Sequence, residues 1–206
     1  MAQRFTLYGI LTLSILVALG SWRFLGLGFE LSFPDFGDHL IARRMAFILH
    51  VSVAPLALVL GGFQFLPGLR ARRPRLHRWS GRIYAACVLV GGVAGILLAV
   101  NASGGVVAGA GFGLLGVFWL GTTGKALLHA LKRQIEIHRE WMIRSFALTL
   151  AGVTLRLYLA GFLVSGVGYI EASPWLAWFC WVPNAVIAEL WIARSRRRRP
   201  VPARAS

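Results

Sequence analysis

The chain has 206 residues, 57% of them hydrophobic and 14% charged, with mean hydropathy +0.68 and a formal net charge of +15. Soluble domains carry about 25% charged residues, so the composition excludes an ordinary soluble globule and leaves one membrane-embedded bundle. A pI near 11.6 would suggest nucleic acid in a soluble protein; here the placement of the charges points to a membrane surface, and no nucleic-acid partner is expected.

A membrane-spanning helix needs about 20 mostly apolar residues. Six stretches qualify: 5–27, 43–66, 80–101, 106–130, 142–165 and 175–193. The first follows a single basic residue, Arg4, and has the small residues Ala18 and Gly20. A cleaved signal peptide is the other reading, but one Arg and so long an apolar run suit a retained helix. Pro34, Asp35 and Asp38 separate it from the second, which carries His50 among Phe47, Ile48, Leu49 and Val51 and ends near Gly61-Gly62. Pro67-Gly68 and Pro74 break the chain before the third helix, and Gly104-Gly105 before the fourth. Gly91/Gly95, Gly105/Gly109 and Gly109/Gly113 are spaced four apart, which lets helix backbones approach closely in lipid. A charged connection from Lys132 to Arg139 precedes the fifth helix, which contains Arg156, and Pro174 precedes the sixth. The expected fold is an all-α integral membrane protein, a bundle of six transmembrane helices in one domain, 1–193. Residues 194–206 form a basic tail, read as disordered; Arg196-Arg197-Arg198-Arg199 would hold anionic lipid at ~1 kcal/mol per charge.

Of the 22 Lys and Arg residues, all but Arg23, Arg43, Arg44 and Arg156 fall on one side of the predicted bundle. The positive-inside bias then places both termini and both basic connections in the cytoplasm. Trp22, Trp79, Trp141, Trp175, Trp178 and Trp191 fall near helix ends, as an aromatic belt requires. Cys87 and Cys180 lie in apolar stretches and form neither a disulfide framework nor a zinc pattern.

A weak internal repeat is present. Arg75-Leu76-His77-Arg78-Trp79, then Arg82, opens the third helix; Glu136-Ile137-His138-Arg139-Glu140-Trp141, then Arg144, opens the fifth. This suggests two copies of one hairpin, helices 2–3 and 4–5, with two His-Arg corners at one level. Ordinary basic interface loops are the competing explanation. Ionisable residues inside a membrane are costly and are functional candidates. The cytoplasmic set includes His77, Arg78, Arg82, His138, Arg139 and Arg144, and neutral imidazoles there suit haem iron or another metal held by His77 and His138. The outer set is His50, roughly 10 Å deep, and Arg156, roughly 15 Å deep. Arg156 is expected to face the bundle towards His50, because lipid exposure would cost at least ~2.5 kcal/mol. His39 reads as a loop residue and His129 as an interfacial cation. No phosphate-binding loop, His-Glu-x-x-His or nucleophile elbow occurs, and no paired membrane carboxylates.

Several segments together resemble a bacterial membrane-protein family designated domain of unknown function 2306: His50, Gly62-Phe63-Gln64-Phe65, Leu69-Arg70, Leu76 to Tyr84, Gly111-Phe112, Trp119, His138 to Ser145 and Leu155-Arg156. The resemblance implies a multi-pass protein of the bacterial inner membrane and carries no established activity. A more distant likeness, in the histidines of helices two to five, is to the transmembrane b-type cytochromes. Their two-haem pairing fails here, because His50 and His129 lie at opposite ends of their helices, roughly 20 Å apart in depth. One haem b through His77 and His138 remains open.

Two functions follow as expectations. One is binding of haem or quinone for membrane electron transfer at the His77/His138 corner. The other is a transporter, or an accessory factor of a respiratory complex, with a polar His50/Arg156 pocket.

Overall fold

The computed structural model describes residues 2–32 and 41–197. Pro34, Asp35, Asp38, His39 and the chain beyond Arg197 lie outside the described residues. The helices are α1 (Ala2–Ser21), α2 (Phe24–Ser32), α3 (Arg44–Gln64), α4 (Pro67–Arg72), α5 (Pro74–Ala99), α6 (Gly105–Leu131), α7 (Ile135–Thr149), α8 (Ala151–Val164), α9 (Tyr169–Phe179) and α10 (Val182–Arg197). Pro67 and Pro74 each stand in the first turn of a helix, where the missing N–H has no intrahelical partner to lose.

Five segments are long and apolar enough to cross a membrane: α3, α5, α6, α7 with α8 (Ile135–Val164), and α9 with α10 (Tyr169–Arg197). The pair α1–α2 gives a sixth if it counts as one span, but it is bent by 70°. The protein is thus an all-α membrane bundle. The first predicted helix, 5–27, is not straight. It breaks at Trp22 and Arg23, and Gly28 inside α2 adopts φ +77°.

The core is a ring of four spans. α3 packs on α5, α5 on α6, α6 on α7, and α7 closes back on α3. α5 and α7 therefore face one another across the bundle. α1 lies outside, on α3 and α8; α9 packs on α6 and α8, and α10 on α7. Tyr84, Val88, Trp119, Leu148 and Cys180 fill the centre. Glycines make room for them: a Cβ on Gly61 would stand 2.6 Å from the Phe146 ring and 2.9 Å from that of Tyr84. A Cβ on Gly109 would stand 2.7 Å from the Ala99 carbonyl oxygen, the close backbone approach that its spacing suggested.

The end bearing the basic connections is tied by charge. Arg144 makes a two-pronged contact with Glu189, at 2.5 and 2.9 Å, and Arg196 does the same with the buried Glu140. Both pairs join α7 to α10. α10 continues helically through Arg197, so the tail expected from residue 194 is ordered over its first four positions.

Gly61→Val should destabilise the protein by about 1–3 kcal/mol, the usual cost of overpacking, seen as a lower melting temperature in detergent. Gly121→Ala, where an added Cβ meets nothing within 4 Å, should leave the melting temperature unchanged or raise it. Equal effects at the two positions would contradict the packing.

Candidate functional site

At the basic end, α5 and α7 each begin with a histidine. His77 is half-buried in the first turn of α5, and its electrostatic neighbours are His138, Arg70 and Arg78. His138 is half-buried on α7. The two corners expected from the repeat thus share one mouth of the bundle.

Hydrogen bonds fix which ring nitrogen of each histidine carries its proton. His138 Nδ1 lies 2.8 Å from the Ala126 carbonyl oxygen. A carbonyl only accepts, so Nδ1–H donates and, in the neutral ring, Nε2 keeps a lone pair. His77 has the opposite pattern. The Gln64 amide, at the end of α3, is satisfied when its oxygen accepts from the Ser80 hydroxyl (2.8 Å) and the Gly81 N–H (3.2 Å). Its nitrogen then donates to His77 Nδ1 at 3.0 Å and to the His77 carbonyl at 3.2 Å. Neutral His77 therefore carries its proton on Nε2. One imidazole offers a donor and the other an acceptor.

Seven residues is almost two helical turns, so Tyr84 lies on the His77 face of α5 and Ser145 on the His138 face of α7, each roughly 10 Å deeper. There the helices are joined across the bundle. The Tyr84 hydroxyl is 2.6 Å from Ser145 Oγ and 2.8 Å from Thr149 Oγ1. Trp119 Nε1 donates to Thr149 Oγ1 at 2.8 Å, and Thr123 Oγ1 is 2.6 Å from Ser145 Oγ. The Thr123 and Thr149 hydroxyls also reach the carbonyls of Trp119 and Ser145. All five side chains are buried, and every hydroxyl has a partner.

The other arginines of the basic end are arranged differently. Arg144 is held by Glu189 and stacks 4.6 Å from the Trp141 ring, which Lys125 approaches to 4.5 Å. Arg82 lies 5.1 Å over the Trp79 ring. Arg78, Arg82 and Arg139 are exposed. His129 Nδ1 bonds Gln134 Oε1 at 2.6 Å. Among the described residues no three His, Cys, Asp or Glu side chains converge as a metal-holding group.

At the opposite end, His50 Nδ1 bonds the Gly91 carbonyl at 2.9 Å, and the ring rests on Gly95, where a Cβ would come within 3.2 Å. The Gly91/Gly95 pair thus makes room for an imidazole as well as for a helix. Arg156 is an electrostatic neighbour of His50, but its hydrogen bonds go elsewhere. It donates to Ser21 Oγ at 2.7 Å and to the Gly152 carbonyl at 2.8 Å. The partner is on α1, not on the second span as expected. Sequence reasoning also gave no role to Tyr84, Thr123, Ser145 and Thr149; the repeated seven-residue step from each histidine was the available signal.

A family of predicted membrane proteins, DUF2306, matches residues 47–192, and the chain belongs to that family. The match covers α3 to nearly the end of α10 and so includes the four-span ring, while α1 and α2 precede it. No curated protein and no solved structure matches the chain.

Thr149→Val removes the hydroxyl shared by Tyr84 and Trp119 and should cost about 1–3 kcal/mol in thermal unfolding, since buried polar groups lose their partner. Ser145→Ala should act similarly. The double variant should lose less than the sum of the two, because both belong to one network. Additive losses would mean that the hydroxyls act separately.

Proposed function

We propose that this membrane protein binds a quinone headgroup between His77 and His138, at the cytoplasmic end of its bundle in the bacterial inner membrane, as the quinone-handling subunit of a membrane electron-transfer assembly. The observation that carries the reading is the complementary protonation of the two rings. His77 Nε2–H can donate to a quinone carbonyl, and His138 Nε2 can accept from a quinol hydroxyl. Arg70 and Arg78 beside His77 favour negative charge developing on the ring oxygen. Quinone reduction takes two electrons and two protons. The histidines would hold and pass the protons, and a redox partner of the assembly would supply the electrons.

Haem at the same corner fits less well. Iron ligation by both histidines asks for a lone pair on Nε2 of each, whereas the Gln64 amide directs the His77 proton onto Nε2. The space beneath is occupied by Tyr84 and Phe146, the latter lying against Gly61 and Gly62. The orientation rests on the positive-inside bias. Arg72→Cys should therefore resist an impermeant thiol reagent in intact cells and react after permeabilisation.

A short-chain quinol, kept reduced under anaerobic conditions and titrated into the purified protein, should show saturable binding by calorimetry. His77→Ala and His138→Ala should each weaken it about ten-fold, as expected for loss of one hydrogen bond of ~1.4 kcal/mol. The double variant should bind about a hundred-fold more weakly than wild type, because each ring makes its own hydrogen bond to the headgroup. Absence of saturable binding would overturn the proposal. A Soret band in the purified protein that disappears in both single variants would replace quinone with haem.

A further inference from the structure

The bend between α1 and α2 gathers cations at the end of the bundle opposite the basic connections. α1 ends at Ser21, where its last carbonyls carry the negative end of the helix dipole. Trp22 Nε1 donates to the Ser52 carbonyl of α3 at 3.0 Å, which pins the bend near His50. Arg23 donates to the Gly20 carbonyl at 3.0 Å and to that of Ser32, and it is an electrostatic neighbour of Arg156. Arg156 reaches Ser21 from α8. Phe29 of α2 stacks on Phe24 at 4.6 Å and meets Phe47 of α3 edge-on, so α2 folds back over the end of α3.

Arg156 is eight residues from the end of α8, roughly 12 Å into the span. Its guanidinium has five N–H donors. Two are engaged by Ser21 and Gly152, and no carboxylate pairs with it among the described residues. The residue is exposed at the surface of the bundle. A guanidinium at this depth with N–H donors left over favours an anion.

A second feature lies on the same seam. A groove of about 170 Å³ runs between α1, α8 and α10, lined by Ile10, Leu13, Leu150, Val153, Thr154 and Asn184. Ile10, Leu13, Val17 and Ser21 share one face of α1 by helical period. Leu150 and Val153 precede Arg156 by six and three residues, so they lie roughly 5–9 Å closer to the middle of the span. The groove therefore begins where an acyl chain would begin if its phosphate sat on Arg156.

We infer that the α1–α8 seam binds one anionic phospholipid, with its phosphate on the remaining N–H groups of Arg156 and one acyl chain in the groove beneath. Ser21 acts as a positioning residue: it donates to the Val17 carbonyl at 2.7 Å and accepts from Arg156, which aims the guanidinium along the seam. This site is independent of the His77/His138 corner.

Native mass spectrometry of the delipidated protein, titrated separately with dioleoylphosphatidylglycerol, dioleoylphosphatidylcholine and inorganic phosphate, tests the assignment. The wild-type protein should retain one phosphatidylglycerol in preference to phosphatidylcholine and should not retain inorganic phosphate. Arg156→Gln should weaken retention at least ten-fold. Leu13→Trp, which fills the groove and leaves every charge in place, should weaken it similarly and decides the matter if Arg156→Gln does not fold. Unchanged retention in Leu13→Trp, equal retention of phosphatidylcholine, or retention of inorganic phosphate alone would overturn the inference.

Discussion

The Tyr84 hydroxyl, bonded across the bundle to Ser145 and Thr149, is the contact on which the rest of the arrangement depends. In lipid, apolar side chains are as well solvated outside a bundle as inside it, so burying Leu or Val does little to choose one helix register over another. Register must come from close packing and from polar groups whose alternatives are costly. A buried hydroxyl shifted by one residue loses its partner, at about 1–3 kcal/mol. Tyr84, Trp119, Thr123, Ser145 and Thr149 link three spans in this way, and the small Gly61 lets α3 close against the Tyr84 ring. With α5 and α7 in that register, His77 and His138 meet two turns away.

The two ends of the bundle are built on different physics. At the basic end, Glu140 and Glu189 neutralise Arg196 and Arg144, so α10 is tied to α7 by paired charges. The His77/His138 corner stands beside these ties with its hydrogen-bonding capacity only half used. At the other end, Arg156 leans on one backbone carbonyl and one serine. Carbonyls lower the cost of holding a guanidinium in the span without cancelling its charge. On the proposed readings, one end takes a small polar ring and the other an anionic headgroup.

The class of fold was legible in the sequence because hydropathy and charge bias act over whole helices, which local errors do not disturb. The bend at Trp22-Arg23 was not, since the apolar run continues through it to Leu27; only Arg23 and the later Gly28 hint at a break. The histidine corner was readable from the repeat, because two His-Arg steps at equivalent hairpin positions arrive at one level. The partners of Arg156 and Arg144 were not, because sequence separation says nothing about which neighbour a long side chain reaches. Ser21 is 135 residues from Arg156, and Glu189 is 45 from Arg144. The hydroxyl network escaped notice for another reason: serine and threonine are common in membrane helices, and only the cross-bundle geometry distinguishes these four hydroxyl residues and Trp119.

The central claim is that the buried hydroxyls set the register that brings His77 opposite His138. Cysteine pairs joined by a short bifunctional maleimide in native membranes test it directly, since Cys87 and Cys180 are both buried. The account predicts efficient cross-linking of His77→Cys with His138→Cys, weak cross-linking of Arg78→Cys with Arg139→Cys, and loss of that contrast when Ser145→Ala and Thr149→Val are added. Equal cross-linking of both pairs, or a contrast that survives removal of the hydroxyls, would contradict it.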